Sequence, residues 1–240
     1  MGLFNKVALC ASTALTLFLA FLLYHAWNAN RTPGLVLPPP YVAQVGAGIV
    51  YDGFVVPAGV DKLKEVYERR DPFPAQTFIM HSPGGEGPTA TVIAKFINDN
   101  GLVFVAMDGS KCESACTLIY MDTNKHFAQD RAIFMFHAAR YFKNDSDKLL
   151  EKFGLKREPP EPVENLMRDR LRQTWPKLAD FFAGCEKDPT TTVEGMYLTG
   201  KELNAILDGT FTETCKQLPP HDSVWADEHI KELGLIAFPG

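Results

Sequence analysis

The chain has 240 residues, enough for one sizeable domain or one domain with an extension. Apolar residues make up 46% and charged residues 22%, an ordinary globular balance. A net charge of -5, with no basic run and no interleaving of basic and aromatic residues, gives no nucleic-acid surface.

In chain order, residues 7–24 are almost wholly apolar and uncharged, preceded by Lys6. About 18 residues is the short end of what crosses a bilayer as a helix, and longer than the usual apolar core of a signal peptide. Small-x-small pairing near Ala26 and Ala29 is poor, so an uncleaved signal-anchor over 1–27 is favoured over a cleaved, secreted form. Positive charge ahead of the span puts the N-terminus inside and the folded domain outside, in the periplasm of a bacterial inner-membrane protein. Cys10 lies within the apolar run, which does not suit a lipid-attachment cysteine. Residues 28–41 carry Pro33, Gly34 and the run Pro38-Pro39-Pro40, a stiff extended linker. The main domain is expected over 42–215, with a helical extension over 216–240.

Within the domain, 45–51 is a strand candidate weakened by Gly46 and Gly48, and Asp52-Gly53 a turn. Residues 60–69 place Val60, Leu63, Val66 and Tyr67 on one helical face. Residues 77–80 form a short buried strand. Pro83-Gly84-Gly85 forces a turn, and 89–97 resumes helical spacing until Asn100-Gly101 closes it. Residues 102–107 are a second apolar strand, 114–121 a small-residue helix, and 127 and 132–136 further strand candidates. Strand and helix alternate at short intervals, which predicts an α/β domain with a largely parallel sheet.

In such sheets, reactive groups gather where strands end and helices begin. His81-Ser82-Pro83-Gly84-Gly85-Glu86-Gly87 sits at one such place. Glycines there let backbone N–H groups turn outward, so Gly84 and Gly85, with the N–H of Ala115, are candidates for an oxyanion hole. The competing reading is a plain loop turn. Ser114 opens the small-residue helix, where it is either an N-cap or a nucleophile aided by the helix dipole. His137 ends the strand 132–136, either as a core histidine or as the general base for Ser114. His81 is a pocket-lining candidate or simply a strand end. His126, His221 and His229 have no motif around them.

Beyond Cys10, the cysteines Cys112, Cys116, Cys185 and Cys215 allow two disulfides in an exported domain. Three connectivities are possible. Cys112 with Cys116 and Cys185 with Cys215 is preferred. A zinc site using Cys112, Cys116 and His126 is the weaker alternative, because no second ligand pair follows. No metal and no cofactor is expected, and no G-x4-G-K-[ST] phosphate loop is present.

Three motifs, in this order and spacing, resemble the Clp protease proteolytic subunit and the wider ClpP/crotonase superfamily. Ser82-Pro83-Gly84-Gly85 is similar to that family's oxyanion turn, Ser114-Ala115 to its nucleophile, and 132–137 to its strand ending in the base histidine. The variant Cys112-Glu113-Ser114-Ala115-Cys116 resembles a group of exported ClpP-like proteins. The resemblance covers roughly 45–207. It implies a core of repeated strand-helix units, a serine peptidase acting on peptide or protein substrates, and a homo-oligomer. The family's third triad member lies about fifty residues beyond the histidine. Asp188 is the first candidate and Glu194 the second, and a Ser–His dyad is the alternative. Glu86 and Glu113 depart from expectation, since a carboxylate beside a forming oxyanion opposes its charge. A non-catalytic binding protein on this fold and a crotonase-type acyl-CoA enzyme are the remaining alternatives.

After His137, residues 143–162 read as a charged, proline-containing loop. Residues 163–182 read as a helix that Pro176 kinks or divides. Thr199 caps a helix over 199–207, with Glu202 at capping-box spacing. A last amphipathic helix spans 223–233.

Overall fold

A computed structural model describes residues 37–69, 73–138, 166–191, 195–218 and 221–232. The elements are β1 (Tyr41–Val45), β2 (Gly48–Asp52), α1 (Pro57–Glu68), β3 (Thr77–His81), α2 (Gly87–Asp99), β4 (Val103–Ala106), β5 (Lys111–Glu113), α3 (Ala115–Asp122), β6 (His126–Ala128) and β7 (Ile133–Phe136). Then follow α4 (Leu166–Thr174), α5 (Pro176–Ala183), β8 (Met196–Thr199), α6 (Gly200–Asp208) and α7 (Ser223–Glu232). The fold is mixed α/β, as the alternating pattern predicts.

A larger sheet has the order β1-β2-β3-β4-β6 and a smaller one the order β5-β7-β8. Strands β2, β3, β4 and β6 run parallel, and β1 turns back antiparallel on β2. The single strand expected at 45–51 is thus a hairpin. Gly46, at φ +58, adopts the left-handed turn conformation that glycine tolerates. In the smaller sheet β5 runs parallel to β7, and β8 antiparallel to it. One parallel bridge, Ser82 with Cys112, joins the end of β3 to β5. That bridge carries the glycine turn from the larger sheet to the serine in the smaller one.

Alternation decides which faces are buried. Phe78 and Met80 of β3 and Phe104 and Ala106 of β4 point into the core. Tyr51, Phe78, Phe104 and Tyr120 form a row of rings with centroids 6.1, 5.6 and 5.2 Å apart, the last two edge-on. Helix α2 covers them with Ala90, Ile93, Ala94 and Ile97, on one face at helical spacing. Pro176 divides the C-terminal helical stretch in two, since it removes an N–H donor and clashes with the preceding turn. Thr199 and Glu202 form the expected capping box, and Gly209 ends α6 in the left-handed conformation. Helix α7 sets Ala226 and Trp225 against Ile133, Tyr197 and Met135, covering the outer face of the smaller sheet.

Both preferred disulfides are present, Cys112–Cys116 and Cys185–Cys215. Sulfurs so bonded are not thiolates, which removes the zinc reading at Cys112 and Cys116. No helix among the described residues is long and apolar enough to cross a membrane. The apolar segment 7–24 and the loop 143–162 lie outside the described residues.

Candidate functional site

The site begins with a backbone outlier. Ser114 has φ +54 and ψ -114, the only positive φ of a non-glycine residue among those described. A side chain there costs on the order of 1–3 kcal/mol and persists only where the surroundings enforce it. Ser114 precedes α3 in the N-cap position, yet its side chain makes no capping hydrogen bond. The plain N-cap reading of the sequence therefore fails. A half-buried serine is instead held at a sharp strand-to-helix turn.

Three neighbours shape that turn. The Ser114 N–H donates to the Met135 carbonyl on β7 at 3.0 Å. The Ser114 carbonyl accepts from the Thr117 N–H at 2.9 Å and the Thr117 hydroxyl at 2.5 Å. Gly84 lies directly against the side chain. A Cβ on Gly84 would sit 2.6 Å from the Ser114 Cβ and 3.2 Å from its Oγ, so only glycine fits. Gly84 also has φ +95, which glycine alone adopts without strain.

Of the three oxyanion candidates, Gly84 differs from Gly85 and Ala115. The Gly84 N–H donates to the buried Ser82 Oγ at 3.1 Å and is already engaged. Gly84 therefore shapes the turn. Gly85 bridges Val55, but the bridge uses the Gly84 carbonyl and the Glu86 N–H, at 2.8 Å each. That pairing turns the Gly85 N–H away from Val55. Ala115 is the first residue of α3, where an N–H has no acceptor within its own helix. Gly85 and Ala115 thus carry the backbone N–H groups that remain as oxyanion candidates.

His137 directly follows β7 and is half-buried. Glu113 pairs with Met135 in the parallel ladder, so Ser114 and His137 emerge from the same end of adjacent strands. Neighbouring strands lie about 4.8 Å apart, so the backbones of the two residues run side by side there. The His137 Nδ1 faces the Ala138 carbonyl at 2.5 Å. A carbonyl only accepts, so Nδ1 carries the hydrogen and Nε2 is the basic nitrogen of the neutral ring. Gly195, at φ +71, packs under this residue. A Cβ there would lie 2.6 Å from the Phe136 carbonyl and 2.9 Å from the His137 Cβ. Sequence reasoning missed Gly195. Its signal was a lone glycine just ahead of the apolar run 196–198.

Asp188 bonds within its own turn. Its Oδ1 accepts from the Thr190 N–H at 2.8 Å and the Thr190 hydroxyl at 2.6 Å, holding a short 3₁₀ turn at Pro189–Thr191. Glu194 lies outside the described residues. His81 proves to be a strand-end residue. Its Nδ1 accepts the Lys111 N–H at 3.1 Å, and burial pushes its pKa below the usual range.

The two unexpected carboxylates are both spoken for. Glu86 is exposed at the N-cap of α2 and accepts from the Thr89 hydroxyl at 2.9 Å. Glu113 alternates with the buried Cys112 and so points to the α7 side of the smaller sheet. There it bonds the Tyr197 hydroxyl. Burial pushes its pKa up, while Lys111 and Tyr197 pull it down. Burial and the Glu113 carboxylate push the Tyr197 phenol up in turn. Lys111 pairs with Asp227 of α7 on the same side.

No family model matches the chain, and no curated protein does. Solved structures do match. A mutant of the 1510-N membrane-bound stomatin-specific protease is 13% identical, with a TM-score of 0.38, over 64% of this chain and 72% of that one. ClpP1 from Listeria monocytogenes is 14% identical, with a TM-score of 0.42, over 67% of this chain and 86% of that one. A mutant of the same ClpP1 is 12% identical, with a TM-score of 0.45 and the same coverage.

Proposed function

We propose that this chain is a serine peptidase, anchored to the bacterial inner membrane by 7–24, with its folded domain in the periplasm. The observation that carries the reading is Ser114 itself. It is the one strained side-chain-bearing residue described, it makes no cap bond, and it lies against a glycine turn. A serine serving only as a cap or a packing residue has no use for that strain.

In the reaction, Ser114 Oγ attacks a peptide carbonyl while its proton passes to Nε2 of His137. The carbonyl oxygen becomes an oxyanion between the N–H groups of Gly85 and Ala115, aided by the positive end of α3. The imidazolium returns the proton to the leaving amine as the C–N bond breaks. Water, deprotonated by the same imidazole, then hydrolyses the acyl-enzyme and restores Ser114. The Ala138 carbonyl fixes the tautomer that this cycle needs. His137 acts with Ser114 and, in the triad version, with Asp188 as the acid; a dyad is the alternative.

A fluorophosphonate probe tests the reading. Wild-type protein is expected to be labelled and Ser114→Ala not. Absence of labelling in folded wild-type protein would favour the non-catalytic alternative.

A further inference from the structure

We infer that the Cys112–Cys116 disulfide is a clamp that holds Ser114 in its strained conformation, making both cysteines positioning residues for the site. This inference rests on the reading of Ser114 as the nucleophile. Its structural half, that the bond maintains the turn, can be tested separately.

Ser114 stands at the midpoint of the ring. Cys112 lies two residues before it and Cys116 two after, and both are fully buried. Cys112 is fixed on one side by β5, which pairs with β7 and bridges Ser82. Cys116 is fixed on the other by the first turn of α3. The ordinary alternative for Ser114 is right-handed helical geometry, extending α3 by one residue at its start. That change would rotate Oγ off Gly84 and re-aim the Ala115 N–H. The hydrogen bonds from the Ser114 N–H to Met135 and from Thr117 to the Ser114 carbonyl resist it. Each is a single, reversible contact worth little net free energy. The disulfide adds a covalent limit on the distance between the two ends of the turn.

The separation of four residues supports a local role. Closing so short a loop removes less freedom from the unfolded chain than closing a long one, so its effect on global stability is smaller than that of a long-range bridge. What it does restrict is the five-residue segment that contains the serine. Reductive opening, with two electrons and two protons supplied by a thiol or phosphine reductant, would release that restriction and lower reactivity at Ser114 without unfolding the domain.

The test compares Cys112→Ala/Cys116→Ala with Cys185→Ala/Cys215→Ala, each checked for folding by circular dichroism. Two readouts are taken: the rate of fluorophosphonate labelling, and amide hydrogen exchange across residues 115–119. The first variant is expected to label about ten- to a hundred-fold more slowly and to exchange faster by a similar factor in that segment, with exchange across 93–97 unchanged. The second variant is expected to keep the parental labelling rate. If the first variant does not fold, reducing the Cys185→Ala/Cys215→Ala protein with a phosphine makes the same comparison. Labelling and exchange within two-fold of the parent would overturn the clamp. If the parent itself is not labelled, the nucleophile reading fails, and the exchange data alone decide whether the bond holds the turn.

Discussion

Cys112–Cys116 spans four residues and encloses a strained serine, whereas Cys185–Cys215 spans thirty and encloses β8 and α6. Chain-entropy arguments give the short ring about 2 kcal/mol of stabilisation and the long one about 3.5 kcal/mol. The long bridge ties the end of α5 to the turn after α6, where Phe181 and Phe211 meet edge-on at 5.5 Å. It keeps a C-terminal segment on the core. The short bridge ties together a segment that β5 and α3 already hold in place. One bond thus contributes mostly to stability and the other mostly to geometry. The lesson is that a disulfide's role follows from what its loop contains as well as from its length.

Substitutions can break this contrast, and the largest effect is expected at the serine's own contacts. Gly84→Ala puts a Cβ 2.6 Å from the Ser114 Cβ at a φ of +95. Labelling at Ser114 is expected to fall by about 10²-fold or more, with a stability loss of roughly 1–3 kcal/mol by denaturant titration. Near-normal labelling would mean that the turn and the serine are not coupled. Next is Cys185→Ala/Cys215→Ala, expected to lower unfolding free energy by about 2–4 kcal/mol and to lower Tm. Unchanged melting with and without reductant would remove the long bridge from the stability account.

A smaller effect is expected at the capping box inside the long loop. Thr199→Ala should cost about 1 kcal/mol. Burial raises the Glu202 pKa, but bonds from His221 and Thr199 outweigh it, so the folded-state pKa is lowered. A lowered folded pKa gives stability that is present above the unfolded carboxylate range and lost as pH falls through the folded value. The wild-type advantage over Glu202→Gln should therefore shrink on acidification below about pH 4.3, the ordinary glutamate value. The smallest effect is expected at Glu113. Its raised pKa disfavours the charged form in the fold, so its contribution weakens as pH rises above that ordinary range. Glu113→Gln should be close to neutral in stability at pH 8, and labelling should stay within a few-fold of wild type, because the side chain faces Tyr197 and not the oxyanion. A large gain in labelling would show that its charge does reach the site.

Much of this arrangement could be read in the sequence, and the reasons for the exceptions are physical. The strands at β3, β4 and β7 are continuous apolar runs, and the helices α1 and α2 keep apolar spacing, so both were visible. Strand β5 was not. It is three residues, Lys-Cys-Glu, and carries no apolar alternation. It is a strand because Ser82 and β7 pair with it on either side. Missing it hid the direction of Glu113, which follows only from the two-residue period of a strand. The hairpin at Gly46 was hidden because a single glycine signals a turn weakly. Gly195 was hidden because its need for a missing Cβ arises from His137, nearly sixty residues earlier. Ser114, His137, Gly84, Gly85 and Ala115 were all named from the three motifs; the register of β5 on β7 sets the backbones of Ser114 and His137 at one end of the smaller sheet, and Gly84 lies against Ser114. The serine's strain could not be seen, since backbone dihedrals are set by tertiary context.

The most direct test maps the adduct. Folded protein is treated with a fluorophosphonate, digested and analysed by mass spectrometry, in parallel with His137→Ala. The account expects the phosphonyl mass on the peptide carrying Ser114, formed at least about 10²-fold more slowly when the imidazole is removed. An adduct on a different serine, or equal rates in the two proteins, would contradict it.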